Sequence, residues 1–129
     1  NTQRGIISTI INSFISGQTM TLYNPRRQFD FTYIDDIVRA INFCAHRQKG
    51  VINIGYGKEI SLRGLYNKLS YIFYGVYKKP KIEISDEHKY GVFSNNEKLK
   101  KSGFNFKYSL DEGLLRTVKY FKDIKGLKP

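Results

Sequence analysis

The stretch Arg26–Cys44, RRQFDFTYIDDIVRAINFC, decides how this chain is read. Aromatic and β-branched residues crowd Gln28 to Ile34 and predict a strand. From Asp36 the apolar residues Ile37, Ala40, Ile41 and Cys44 recur at i, i+3, i+4 and i+7, which predicts a helix closing before Gly50. At such a strand-to-helix junction Asp35 and Asp36 read as helix-capping carboxylates rather than as an acid/base pair. Arg26 and Arg27 stand at the mouth of the strand, where guanidinium groups can take an anionic ligand.

The pattern repeats on either side. Upstream, Gly5 to Ser16 places Ile6, Ile7, Ile10, Ile11, Phe14 and Ile15 on one broad helical face that stops before Gly17. Met20 to Tyr23 is a short strand ending at an Asn24-Pro25 turn. Downstream, Val51 to Ile54 reads as an apolar strand and GYGKEI as a loop. Ser61 then caps a helix carrying Leu62, Leu65, Leu69, Ile72 and Phe73 on one side. Lys81 to Ile84 predicts a strand, and Asn95 to Ser102 a short helix ended by Gly103. Ser109 and Glu112 form a capping box before Leu110, Leu114, Val118 and Phe121. Alternating strands and helices, without repeat or linker, predict one connected α/β unit over residues 1–129, with short mixed or partly parallel strands.

At 129 residues, 40% hydrophobic and 15% aromatic, the chain can bury a core but is short for an enzyme that holds both a dinucleotide and a second substrate. The longest apolar run, Ile6 to Ile15, is broken by polar residues and falls short of the roughly 20 needed to span a bilayer. No membrane segment is expected, and the single Cys44 fits a reducing, cytoplasmic setting. A net charge of +11 invites a nucleic-acid reading, but the basic residues are spread along the chain and read first as solvated lysines. The first residue is Asn1 rather than Met, so a piece of a longer protein is expected.

Motifs for chemistry are sparse. Gly55-Tyr56-Gly57 follows the Val51–Ile54 segment, yet Ile60 stands where a third glycine would complete a dinucleotide loop, so it reads as a turn. Tyr74 with Lys78, and Tyr77 with Lys81, have the Tyr-x-x-x-Lys spacing that can depress a phenol's pKa, but Gly75 and Pro80 interrupt any helix holding them. His46 and His88 lack companions at metal-ligand spacing and read as surface residues. No catalytic, cofactor-binding or metal-ligating residue is assigned.

Three blocks taken in order carry more: QFDFTYIDDIVRAI, then GVINIGYGKEISLRGL, then NNEKLKKSGFNFKYSLDEGL. Together they resemble the C-terminal part of the extended short-chain dehydrogenases, the NAD(P)-dependent nucleotide-sugar epimerases and dehydratases. That family reads R-D-F-x-Y-V-x-D-V in the first block, N-x-G-x-G with a serine-capped helix in the second, and K-L-G-F-x-P-x-x-S-L-x-E-G-L in the third. The resemblance spans almost the whole chain. It implies a substrate-binding part whose Rossmann portion, with the cofactor loop, the tyrosine–lysine dyad and NAD or NADP, lies upstream of Asn1.

By position, the resemblance implies that Leu22, Tyr23 and Asn24 line the base or ribose of a nucleotide sugar. Arg26 and Arg27 would bind phosphate, and Tyr90, in KYGVF, would face the ligand. One departure stands out, because the family's arginine before D-F is Phe29 here. The helix from Asp36 to Arg47 and the Val51–Ile54 segment would expose apolar faces without the Rossmann part, so self-association or a partner is expected. The chain alone is expected to bind no cofactor and to turn over no substrate. The rival expectation is a small basic module that binds single-stranded nucleic acid through interleaved lysines and aromatics.

Overall fold

The computed structural model describes residues 5–45, 49–83 and 91–126. Five helices and five short strands alternate: α1 (Ile6–Ile15), β1 (Thr21–Tyr23), β2 (Gln28–Asp30), α2 (Ile34–Ala45), β3 (Glu59–Ser61), α3 (Leu62–Tyr74), β4 (Lys81–Glu83), β5 (Gly91–Val92), α4 (Glu97–Lys101) and α5 (Leu110–Ile124). β1 pairs in parallel with β4, Leu22 opposite Ile82. β2 is the centre of a mixed sheet, antiparallel to β3 with Phe29 opposite Ile60, and parallel to β5 with Gln28 opposite Gly91. The architecture is therefore α/β with short parallel and antiparallel strands. His46 and His88 lie outside the described residues.

The helical stripes account for the main core. Ile10, Ile11 and Phe14 of α1 meet Leu65, Tyr66 and Leu69 of α3, and Leu114, Val118 and Phe121 of α5, with Leu22 of β1 beneath them. Each such side chain contributes roughly 1.5–3 kcal/mol by leaving water. Ser61 caps α3 by accepting the Gly64 N–H at 3.1 Å, and Ser109 with Glu112 forms the expected box at α5. A smaller cluster of Ala40, Leu99 and Phe104 joins α2 to α4, with Ile52 and Ile54 packed against it.

Three expectations need correction. Val51 to Ile54 is not a strand: a strand exists through its ladder, and no described segment pairs with this one, which leaves Val51 85% exposed. The strand of this region is instead β3, Glu59–Ser61, inside the supposed loop and paired with β2. β2 stops at Asp30 rather than Ile34, because α2 already begins at Ile34.

The third correction concerns Asp36, which is inside the first turn of α2 and does not cap it. Its fully buried carboxylate accepts the Lys107 N–H, at 3.0 Å to each oxygen, and the Tyr108 N–H at 2.9 Å, and it pairs with Arg39. Asp36 thus fastens α2 to the lead-in of α5. A buried carboxylate satisfied by backbone donors is a strong tether, since hydrogen bonds to an ionised acceptor are stronger than neutral ones.

Candidate site at the β1–β2 turn

The turn between β1 and β2 is built to be rigid. Asn24 has φ 52°, a left-handed conformation that asparagine tolerates better than most residues. The buried Pro25 follows, and the Arg27 N–H closes the turn on the Asn24 carbonyl at 3.0 Å. The start of α3 locks the turn from outside: the Leu62 N–H donates to the Arg27 carbonyl at 2.8 Å and the Arg63 N–H to the Pro25 carbonyl at 3.0 Å. Arg26 and Arg27 leave this turn exposed to solvent.

Of the residues singled out in sequence, Tyr23 is 61% exposed at the end of β1, whereas Leu22 is fully buried and gives its side chain to the core. Any contact of Leu22 with a ligand would be confined to its backbone. The Arg27 guanidinium lies 5.2 Å from the ring centroid of Phe29, which itself stacks on Phe31 at 5.5 Å. A cation seated on an aromatic face is favoured by the ring quadrupole. The aromatic residue at position 29 therefore places a guanidinium above itself rather than supplying one.

Tyr90 lies outside the described residues. Its neighbour Gly91 pairs with Gln28, and a Cβ on Gly91 would sit 2.5 Å from the Gln28 Cβ, so glycine is what lets β5 approach. β5 thus begins beside the Arg27 end of β2. The principal clefts of the described residues lie elsewhere; one of about 230 Å³ opens between Phe31–Ile34 and the start of α5. Among the described residues the arginine pair is exposed.

The glycine turn is filled by a carboxylate. The Asp30 Oδ2 accepts the N–H groups of Gly57 and Ser94, each at 3.0 Å, and the Asn96 amide donates to the carbonyls of Gly55 and Tyr56. Donors already turned toward Asp30 do not fit a dinucleotide pyrophosphate, which needs free N–H groups at a helix start. Among the described residues no cluster of His, Cys, Asp and Glu could hold a metal.

The Tyr74–Lys78 spacing is not a proton-transfer pair either. The Tyr74 hydroxyl donates to the Phe14 carbonyl at 3.1 Å, and burial raises its pKa above the ordinary phenol value, the reverse of what proton transfer requires. Tyr77 stacks on Tyr71, outside any helix. The nearby residue that sequence reasoning passed over is Arg63, also exposed and tied through its N–H to Pro25. Its only sequence signal was its position two residues after the Ser61 cap.

No family model matches the chain. A putative UDP-glucose 4-epimerase of Methanocaldococcus jannaschii is 25% identical over 126 residues, covering 94% of this chain and 40% of that protein. The crystal structure of a Thermotoga maritima UDP-glucose 4-epimerase with UDP-glucose superimposes with a TM-score of 0.79 at 29% identity, over 94% of this chain and 40% of that one. A dTDP-glucose 4,6-dehydratase of Bacillus anthracis in complex with NAD shares the fold at a TM-score of 0.83 and 24% identity, over 96% of this chain and 41% of that one. The chain thus spans about 40% of the length of these relatives. In sequence and in fold it matches the C-terminal part of the NAD-dependent nucleotide-sugar epimerase/dehydratase family, the extended short-chain dehydrogenase/reductases.

Proposed function

We propose that this chain is the nucleotide-sugar-binding portion of an NAD(P)-dependent epimerase or dehydratase. The observation that carries the reading is the likeness, over 94% of the chain, to an epimerase structure that contains UDP-glucose. The rigid β1–β2 turn supports it by carrying two exposed arginines next to a short mixed sheet. In this reading Arg26 and Arg27 hold the diphosphate, and Tyr23, Asn24 and Tyr90 border the base or ribose. The contribution of Leu22 comes from its backbone. Guanidinium suits the task because its planar fork matches two phosphate oxygens at once.

The dinucleotide and the proton-transfer residues belong, in this reading, to a Rossmann portion outside this chain. The filled Gly55–Gly57 turn and the Tyr74 hydroxyl, held on the Phe14 carbonyl, support that division. The docking face for that portion is the α2 stripe of Ile34, Val38 and Ile41, each at least half exposed, together with the unpaired Val51 segment. No helix of the described residues is long and apolar enough to cross a membrane. A cytoplasmic setting is our reading of the lone Cys44.

The rival nucleic-acid reading gains no support from the comparisons. Several of its aromatics, Phe14, Tyr66, Phe104 and Phe121, are buried in the cores, where they stack on no base. Titration separates the two readings. The chain should bind UDP with weak salt dependence and show no turnover of a UDP-sugar with added NAD or NADP. Tight oligonucleotide binding with a steep salt slope and no UDP binding would reverse the choice.

A further inference from the structure

We infer that Arg63 is the third arginine of the anion grip and a specificity-determining residue for diphosphate-bearing ligands, in place of the arginine that position 29 lacks. The inference rests on the nucleotide-sugar reading above and deepens it.

Two backbone hydrogen bonds hold the first turn of α3 against the Asn24–Arg27 turn, Leu62 N–H to the Arg27 carbonyl and Arg63 N–H to the Pro25 carbonyl, so Arg63 rises from backbone bonded to the residue just before Arg26. All three side chains are exposed. Ion pairs among the described residues join Arg39 to Asp36, Lys68 to Asp111 and Lys101 to Glu97, and none of the three arginines takes part.

The positive end of a helix dipole favours acidic residues in the first turn, yet α3 has none there and carries Arg63 instead. The dipole end cannot serve an anion through its backbone. The Leu62 and Arg63 N–H groups are spent on loop carbonyls and the Gly64 N–H on the Ser61 hydroxyl. Positive charge at this corner is therefore available only through side chains. Three arginines carried on backbone joined by these hydrogen bonds, with no acidic residue in the first turn of α3, favour a multiply charged anion. Phe29 seats Arg27 on its face but adds no charge, which leaves the third position to Arg63.

Calorimetric titration of the chain with UDP and with uridine at one ionic strength tests this. Arg63→Gln should weaken UDP binding about tenfold, the value of one charge-assisted hydrogen-bonded contact, and leave uridine binding unchanged. Arg63→Lys should fall between, since lysine keeps the charge and loses the fork. UDP affinity of R63Q within twofold of the parent, while R26A and R27A lose theirs, overturns the role of Arg63 and leaves the wider reading intact. Equal losses for UDP and uridine also overturn it, because they signal a damaged fold. Failure of the unaltered chain to bind UDP at millimolar concentration overturns the nucleotide-sugar reading and the inference with it.

Discussion

Asp36→Ala should be among the most damaging single substitutions in this protein, and its magnitude can be worked from the structure. The carboxylate is fully buried and takes two backbone donors, the N–H groups of Lys107 and Tyr108. Removing it takes away the carboxylate partner of both, at about 1–3 kcal/mol each, so the loss should be roughly 2–6 kcal/mol. The Arg39 side chain is 44% exposed, so its share of the ion pair is screened, and Arg39→Ala should stay within about 1 kcal/mol. Against a typical total of about 5–15 kcal/mol the Asp36 loss is large. Urea unfolding followed by circular dichroism reads both numbers, with the slope m unchanged if unfolding stays two-state. Asp36→Ala costing no more than Arg39→Ala would show that the carboxylate is a surface ion pair and not the clamp between α2 and α5.

Other expectations concern the cap, the sheet and the exposed stripe. Ser109→Ala removes the N-cap of α5 and should cost about 1 kcal/mol in the same assay. The hydrogen bonds from the Ser109 backbone and hydroxyl hold the Glu112 carboxyl below the ordinary glutamate range. A depressed folded pKa stabilises above the unfolded value and is lost as pH falls through the folded one, so Glu112→Gln should flatten the acid limb of the stability–pH curve by lowering stability at neutral pH and leaving strongly acid pH little changed. Gly91→Ala forces a Cβ onto that of Gln28 and should destabilise by about 1–3 kcal/mol while weakening UDP binding, measured by melting and titration. Val38→Glu with Ile41→Glu should abolish self-association in sedimentation velocity and leave the melting temperature within a few degrees, because both side chains are already about half exposed.

The helices were legible because each carries its own signal: α1, α3 and α5 show the apolar period, and Ser61 and Ser109 announce their starts. The misread parts depend on partners distant in sequence. β3 pairs with β2 some thirty residues upstream, and Asp36 reaches Lys107, so neither could be read from its own neighbours. Val51–Ile54 has the composition of a strand but no described segment to pair with. The arginine pair stood out at once, while Arg63 became visible only through its hydrogen bond to the carbonyl of Pro25. Resemblance, rather than any local pattern, pointed to a nucleotide sugar, because the members of the proposed site come from β1, the turn and α3.

The most direct measurement of the central claim is amide chemical-shift mapping of the isotope-labelled chain during titration with UDP. The account predicts saturable shifts concentrated on residues 21–29 and 61–64, and none on the Gly55–Gly57 turn when the titrant is NAD. No shifts with millimolar UDP, or shifts centred on the Gly55–Gly57 turn with NAD, would contradict it.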